Sequence, residues 1–258
     1  MLLTVDIGNS TVCVTGLTRR DGDFAVAFSA KLDTVREQSE MEYRARLAAL
    51  LERQGAKPEA LEGMALCSVV PCLDARLCAA LRAMTGREPF QLAHGSKTGL
   101  TFAVPEPERV GLDRIADAAW AANVLPLPAV TVDMGTATTF SVVDAGGVFC
   151  GGAIAPGLET GLRALRARAA QLPELSVSAP DCVIGQTTED CMRIGAVTGA
   201  AAMIDGLTAR MEETLGASAS LLLTGELARC VSPLCRHPHI YEPHLLAKGL
   251  ALLYTKNR

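Results

Sequence analysis

The stretch Val5 to Thr11, VDIGNST, places a carboxylate at the end of an apolar segment and follows it with a turn of Gly, Asn and hydroxyl residues. The apolar residues Leu2 to Ile7 predict a buried strand that ends at this turn. A carboxylate at the carboxyl end of a strand can hold a hydrated cation, while turn N–H groups and hydroxyls can bind phosphate oxygens. The alternative is that Asp6 only caps a tight turn, as most such Asp residues do.

The same pattern returns in the second half of the chain. Residues 132–138, VDMGTAT, align with residues 5–11 and share their Val, Asp, Gly and final Thr. One repeat at half the chain length predicts two similar lobes with a cleft between them. We place the two lobes at residues 1–115 and 116–258. Two matching copies favour binding of a nucleoside triphosphate over two unrelated turn caps.

Strands and helices alternate in both halves of the sequence. In the first half the predicted strands are 2–7, 12–17, 24–30 and 64–70, and the predicted helices are 39–53, 73–85 and 112–123. In the second half the predicted strands are 129–135, 138–144, 148–154 and 221–226, with a short helix start at 227–230. The turns expected between the early strands are GNST and RRDGD. This order predicts an α/β fold in which three strands open each half.

Composition and charge exclude several classes of protein. The chain has 258 residues, 49% of them hydrophobic, and a formal net charge of -4. This charge gives no long-range attraction for nucleic acid or an anionic membrane, so any phosphate must be bound locally. Nine cysteines without a Cys-x-x-Cys pair favour reduced, buried thiols over disulfides. No basic leader and no long apolar run is apparent, which predicts a cytoplasmic protein.

A third candidate segment is GLDR, Gly111 to Arg114, at the start of a predicted helix. A helix N-terminus favours the ionised form of Asp113, which could then accept a proton from an attacking alcohol. Arg114 could hold a substrate carboxylate or brace the site. The alternative is an ordinary helix start with an acidic first turn and an exposed Arg.

Two further segments have weaker interpretations. The Cys and His residues between Cys230 and His244 lie close in sequence, but their spacing matches no common zinc pattern. The basic segment 161–171 predicts an amphipathic helix, whose charges favour a solvated face over a nucleic-acid surface.

Taken together, the motifs resemble those of the type III pantothenate kinases, which belong to the acetate kinase, sugar kinase, Hsp70 and actin superfamily. The segments that carry the resemblance are DIGNS (6–10), SVVP (68–71), GLDR (111–114), DMGTAT (133–138), GGAIAPG (151–157), Gly185 with Thr188 and Gly195, TGE (224–226) and KGL (248–250). The resemblance implies two ribonuclease H-like, actin-like lobes with mixed sheets flanked by helices.

The resemblance also implies roles for individual residues. Residues expected to bind ATP are Asp6, Gly8, Asn9, Ser10, Thr11, Cys13 and Thr136. Asp6 is expected to hold Mg2+ through water, and Asp133 a monovalent cation, K+ or NH4+. Asp113 is the expected proton acceptor. Residues expected to bind pantothenate are Val104, Gly111, Leu112, Asp113, Arg114 and Thr188, the last from the neighbouring subunit of a homodimer.

Three positions depart from the family pattern, and one is Gln38-Ser39, near where the family usually has an Arg-Thr pair after the third strand. Val104 stands where the family usually has a Tyr that contacts pantothenate, and Glu226 follows Gly225 where the family usually has a second Gly. A carboxylate at residue 226, near adenine or ribose, is expected to alter nucleotide binding. The retained Asp6, Asp113 and Asp133 predict an active kinase.

The resemblance implies ATP-dependent phosphorylation of pantothenate to 4′-phosphopantothenate, the first step of coenzyme A biosynthesis. One alternative is a non-catalytic regulator, because relatives of this fold include accessory factors linked to transcription. Another is a different small-molecule kinase or a polyphosphate-type phosphatase. The GLDR segment and Thr188 favour the pantothenate kinase.

Overall fold

A computed structural model of the chain describes residues 1–20, 23–169 and 171–258. Asp21 and Gly22, in the predicted turn between the second and third strands, lie outside the described residues. So does Ala170, near the end of the predicted helix 161–171.

The secondary structure follows the predicted alternation. The strands are β1 (Leu2–Ile7), β2 (Thr11–Arg20), β3 (Asp23–Asp33), β4 (Gly63–Ser68), β5 (Phe90–Gln91), β6 (Thr101–Phe102), β7 (Ala129–Met134), β8 (Ala137–Val143), β9 (Val148–Pro156), β10 (Ser220–Thr224) and β11 (His239–Tyr241). The helices are α1 (Glu40–Arg53), α2 (Pro71–Thr85), α3 (Leu112–Val124), α4 (Leu158–Arg168), α5 (Thr188–Leu215), α6 (Ala228–Val231) and α7 (Leu245–Lys256). The elements named from the sequence are present, with ends shifted by a few residues.

The chain forms two compact units, each built from separate segments. The first contains Met1–Thr98, Glu106–Trp120 and Leu245–Arg258, and the second contains Gly99–Pro105 and Ala121–His244. Helix α7 therefore belongs to the unit that contains the start of the chain. The single lobe boundary expected between residues 115 and 116 stays a prediction.

The first unit contains a five-stranded sheet of order β3-β2-β1-β4-β5. Strand β1 pairs antiparallel with β2 and parallel with β4. Leu3, Val5 and Ile7 point to one face of the sheet, where they pack against side chains of α1 and α2. Asp6 therefore points to the opposite face.

The second unit repeats this order in a six-stranded sheet, β11-β10-β7-β8-β9-β6. Strand β7 pairs antiparallel with β8 and parallel with β10, as β1 does with β2 and β4. Its core residues Val130, Val132 and Met134 pack with apolar side chains that include those of α5. Two mixed sheets flanked by helices confirm the predicted α/β fold class.

Helix ends show which sequence signals were reliable. Ser39 and Glu42 form the predicted capping box at the start of α1. Gly86, with a φ of 68°, closes α2 in the left-handed conformation, as predicted. Helix α5 was not identified from the sequence, because its many Ala and Gly residues give a weak apolar period.

Cysteine burial differs from the sequence-based expectation. All nine thiols are free, but only Cys67 is buried, and the others are half-buried or exposed. The expectation of uniformly buried thiols was wrong, because several cysteines lie in loops or on outward helix faces.

Of the helices in the described part of the chain, none combines the length and the apolar character needed to cross a bilayer.

Candidate active site

The loop between β1 and β2 carries the first group of predicted site residues. Asp6 is half-buried near the end of β1 and is paired with Cys13 on β2. The Gly8 N–H donates to the Thr11 carbonyl at 2.9 Å, which closes the turn. A side chain on Gly8 would lie only 3.0 Å from the same carbonyl, so the turn requires a small residue.

Two contacts from the segment after β3 hold this loop in place. Thr34 donates its hydroxyl to the Gly8 carbonyl at 2.7 Å and its N–H to the Ser10 carbonyl at 3.0 Å. Arg36 donates to the side-chain oxygen of Asn9 at 3.1 Å. The backbone of the predicted phosphate-binding loop is therefore fixed from outside the hairpin, while Asn9 and Ser10 stay exposed.

The GLDR segment forms the first turn of α3. The Asp113 carboxylate accepts the Arg114 N–H at 2.8 Å, and a Cβ on Gly111 would lie 2.3 Å from the same oxygen. Gly111 therefore leaves space for the carboxylate beside the helix N-terminus. Burial lowers the pKa of Arg114, and Asp113 opposes this effect. Leu112 is half-buried beside them.

A buried thiol connects the two groups of residues in the first unit. Cys67 lies on β4 in register with Asp6 and is fully buried. Its pKa is raised well above the usual value, first by burial and then by the charges of Asp6, Asp113 and Asp117. Asp6, Asp113 and Asp117 thus all lie close enough to Cys67 for their charges to act on its thiol.

Asp117 is a residue of this site that the sequence analysis did not identify. It lies one helical turn after Asp113, on the same face of α3, and is only 3% exposed. Buried Asp residues are rare unless the surroundings compensate the charge. The spacing of four residues from Asp113 within a predicted helix was the signal that could have found it.

The loop between β7 and β8 carries the second predicted group. Asp133 is half-buried near the end of β7, and the Gly135 N–H donates to the Ala137 carbonyl at 3.0 Å. The Thr136 carbonyl accepts bonds from the Gly157 N–H at 3.1 Å and the Thr160 hydroxyl at 2.8 Å. The start of α4 therefore holds this loop.

The backbone of the turn after β10 comes close to Asp133. Gly225 follows β10 with a φ of 92°, and a Cβ there would lie 2.6 Å from the Met134 carbonyl oxygen and 2.8 Å from Asp133 Oδ1. A carboxylate oxygen and a carbonyl oxygen thus converge on one small residue. Oxygen donors of this kind fit a hard monovalent cation. The described residues hold no group of three or more His, Cys, Asp or Glu suited to a metal ion.

The remaining predicted substrate residues, Val104 and Thr188, also lie in the second unit. Val104 is half-buried, and its Cγ1 would lie 3.5 Å from a Cβ on Gly151. Thr188 is the exposed first residue of α5, and its neighbour Thr187 caps the helix by accepting the Asp190 N–H at 3.1 Å. Their predicted contacts with substrate stay predictions.

Comparisons with known proteins place this geometry in a family. The family model for type III pantothenate kinase matches residues 2–210. Type III pantothenate kinase from Agathobacter rectalis is 34% identical over 257 residues, covering 99% of this chain and 97% of that protein. The enzyme of the same name from Moorella thermoacetica is 33% identical over 260 residues, covering all of both chains.

Solved structures show the same fold at lower identity. A protein from Campylobacter jejuni that is assigned to the Baf family of transcriptional activators has a TM-score of 0.61 and 19% identity, covering 99% of this chain and 98% of that one. The inorganic polyphosphate/ATP-glucomannokinase from Arthrobacter sp. strain KM has a TM-score of 0.51 and 14% identity, covering 98% of both chains. These two likenesses concern the fold alone. The family match and the relatives that align along their whole length show that the chain belongs to the type III pantothenate kinase family.

Proposed function

We propose that the protein transfers the γ-phosphoryl group of ATP to the terminal hydroxyl of pantothenate, which gives ADP and 4′-phosphopantothenate. The observation that carries this proposal is the full-length similarity to curated type III pantothenate kinases. In that family the reaction opens coenzyme A biosynthesis. Since the substrates are soluble metabolites, we expect the reaction in the cytoplasm.

In the proposed reaction Asp113 accepts the proton of the pantothenate hydroxyl as its oxygen attacks the γ-phosphorus. The bond from the γ-phosphorus to the β–γ bridging oxygen breaks, and ADP leaves. Support comes from the position of Asp113 at a helix N-terminus, near Asp6 across the buried Cys67. Phosphoryl transfer depends mainly on positioning and charge neutralisation, which the fixed loops would supply.

Residues of the loop after β1 and residues of the loop after β7 are each proposed to bind ATP. In the first, Gly8, Asn9, Ser10, Thr11 and Cys13 surround the turn after Asp6. In the second, the loop of Thr136 is held by α4. Both turns consist of small and hydroxyl-bearing residues, which supports phosphate binding.

Two cations complete the proposal. Asp6 would hold Mg2+ through water, and Asp133, with the nearby Met134 carbonyl, would hold K+ or NH4+. These ions would neutralise charge on the phosphates. The residues fit this role because both carboxylates lie at strand ends, and oxygen atoms converge beside Gly225.

Pantothenate is proposed to bind to Gly111, Leu112, Asp113 and Arg114, to Val104, and to Thr188 supplied by the other subunit of a homodimer. Helix α5, which begins at Thr188, supports a dimer because the exposed residues of its middle part, between Met192 and Ala209, are all Gly or Ala. These residues are Gly195, Gly199, Ala202, Gly206 and Ala209. Small residues allow two helices to pack closely.

The lobes 1–115 and 116–258 remain a proposal, supported by the matching strand orders.

A non-catalytic regulator is not favoured. The relatives that align along the whole chain are named as kinases, whereas the likeness to the Baf-family structure rests on 19% identity. The retained Asp6 and Asp113 agree with a catalytic role.

The proposal is tested by measuring ADP release with ATP, Mg2+ and pantothenate, in K+ and in Na+. The wild type is expected to require pantothenate and K+. Asp113→Asn is expected to lose about 10²- to 10⁴-fold in kcat, the typical contribution of a positioned general base. Glu108→Gln removes an exposed charge five residues earlier and is the matched control. Absence of turnover with pantothenate in any cation would refute the proposal.

A further inference from the structure

The residues that follow β3 form a fixed segment beside the loop after β1. Thr34 donates its N–H to the Ser10 carbonyl at 3.0 Å, and the chain then turns, with the Gln38 N–H bonded to the Val35 carbonyl at 3.3 Å. The hydroxyl of the buried Tyr43 bonds both backbone groups of Val35, accepting the N–H at 3.0 Å and donating to the carbonyl at 2.9 Å. Helix α1, which carries Tyr43, therefore holds the start of this segment.

A second helix holds the other end of the segment. Arg76 of α2 is half-buried, and its Nη1 donates to the carbonyls of Arg36 at 2.5 Å and Gln38 at 3.1 Å. Arg46 of α1 donates to the side-chain oxygen of Gln38. The backbone position of Arg36 is thus set by α1 and α2 and does not depend on the Arg36 side chain.

The side chain of Arg36 reaches the loop after β1 and contacts Asn9. Its Nη2 donates to Asn9 Oδ1 at 3.1 Å. A guanidinium can only donate hydrogen bonds, so it faces the amide oxygen of Asn9 and not the amide nitrogen. Both N–H bonds of the amide therefore point away from Arg36. Since Asn9 and Arg36 are exposed, a ligand can reach these N–H groups.

The orientation of the Asn9 amide determines whether it attracts or repels an anion. The last torsion of an Asn side chain is broad and roughly two-fold, so the oxygen and the nitrogen can exchange places. The N–H groups can donate to a phosphate oxygen, whereas the amide oxygen cannot. A hydrogen bond from a charged donor is stronger than one from a neutral donor, so the bond from Arg36 favours the orientation that can bind phosphate.

We propose that Arg36 is a positioning residue for nucleotide binding, which holds Asn9 with both amide N–H groups available to a phosphate oxygen of ATP. This inference rests on the proposed function for the identity of the ligand as ATP. Because Arg36 acts through Asn9, removing the Asn9 amide should also remove the effect of Arg36. Two residues that act as one unit show such non-additive effects.

The first test measures ATP binding by NMR titration of 15N-labelled protein, with Mg2+ and without pantothenate. Arg36→Met and Asn9→Ala are each expected to weaken binding about tenfold, the effect of losing one hydrogen bond to a charged group. The double variant should bind within about twofold of Asn9→Ala alone. Arg36→Lys keeps a charge and N–H donors and should regain part of the affinity. Arg44→Met removes an exposed charge on α1 and should bind ATP like the wild type.

The same titration follows the Asn9 side chain directly. At saturating ATP its amide signals should shift in the wild type and much less in Arg36→Met. In steady-state kinetics the loss is expected in KM for ATP, with kcat nearly unchanged, because the bond to phosphate is present both before and during the transfer. Urea unfolding of Arg36→Met should match the wild type, because α1 and α2 hold the backbone of the segment.

If the effects of the two substitutions multiply in the double variant, or if Arg36→Met binds ATP like the wild type, the inference is wrong. Phosphorylation of pantothenate without coupling between Arg36 and Asn9 would reject only the inference. Coupling in ATP binding without phosphorylation of pantothenate would reject only the proposed function.

Discussion

At the scale of single residues, glycines determine where the carboxylates of the site can lie. Gly111 leaves space for Asp113, and Gly225 brings the turn after β10 against Asp133. In both places a methyl group would meet an oxygen at less than 3 Å. Each of these two predicted acids therefore lies beside a Gly whose missing Cβ leaves it space.

Gly225→Ala is expected to destabilise the protein by about 1–3 kcal/mol, because a residue with a side chain is strained at positive φ. It should also abolish the stimulation of activity by K+, since the new methyl group would displace Asp133 Oδ1 or the Met134 carbonyl. Urea unfolding and ADP release in K+ and Na+ measure the two effects.

The matched control is Gly216→Ala, which has a φ of 68° but no atom within 4 Å of the added Cβ. It should show the backbone strain and keep the response to K+. If Gly225→Ala responds to K+ like the wild type, the proposed cation site at Asp133 is wrong.

At the scale of elements, the two hairpins are similar but not identical. Ile7 pairs with Val12, so four residues form the first turn, whereas Met134 pairs with Thr138 across three residues. Thr11 aligns with Thr138 in the sequence. In the structure, however, Thr138 corresponds to Val12, because each of these residues pairs with the last residue of the preceding strand. The first turn is one residue longer and therefore contains one more backbone N–H group.

Helix α5 and the loop before β11 are joined by an ion pair. His237 Nε2 lies 3.1 Å from Glu212 Oε2. Burial lowers the pKa of His237, but hydrogen bonds to the Pro238 carbonyl and Glu212 raise it by more. The pKa of His237 is therefore above the usual value for a His. Because the pKa is higher in the folded than in the unfolded protein, the pair stabilises the folded protein fully below the unfolded His pKa of about 6.5. This stabilisation is lost as the pH rises through the pKa of the folded protein.

His237→Gln is therefore expected to lower the free energy of unfolding by about 0.5–1 kcal/mol at pH 6 and by less at pH 9. Urea unfolding at both pH values measures the difference. His94→Gln removes an exposed imidazole in the first unit and is the control. A larger loss at pH 9 than at pH 6 would contradict the assignment.

The exposed face of α5 gives a test of the proposed dimer. At Gly199 the nearest atom to an added Cβ is the Ile194 carbonyl oxygen, at 4.0 Å, so the protomer can hold a larger side chain. Gly199→Leu is expected to convert a dimer into monomers because closely packed helices cannot accommodate it. Sedimentation velocity measures the change. Ala48→Leu, on the exposed face of α1, should leave the assembly unchanged. A monomeric wild type would refute the dimer.

At the scale of the whole molecule, segments that are far apart in the sequence pack against each other within one unit. Helix α7 packs in the first unit, where a Cβ on Gly249 would lie 2.4 Å from the Ala116 carbonyl oxygen. Tyr254 of the same helix fills the space beside Gly63 at the start of β4. The last helix thus supports α3, which carries Asp113.

Gly249→Val is expected to destabilise the protein by about 1–3 kcal/mol and to reduce kinase activity, because the added side chain would push α7 away from α3. Ala247→Val places the same residue two positions earlier on α7, at a half-buried site, and is the control for helix propensity. Urea unfolding and ADP release are the measurements. Equal stability of the two variants would show that the contact with Ala116 does not hold α3.

The amino-acid sequence by itself determined the strands that carry Asp6 and Asp133, the helix start at Asp113 and the family, because each depends on local pattern or ordered motifs. Only the tertiary structure decided the role of residues whose neighbours are distant in sequence. Asp6 lies beside Cys67 through the pairing of β1 with β4, and Tyr241 lies beside Gly225 through the pairing of β10 with β11. Helix α7 returns to the first unit for the same reason: burial of apolar surface joins segments that no local pattern connects.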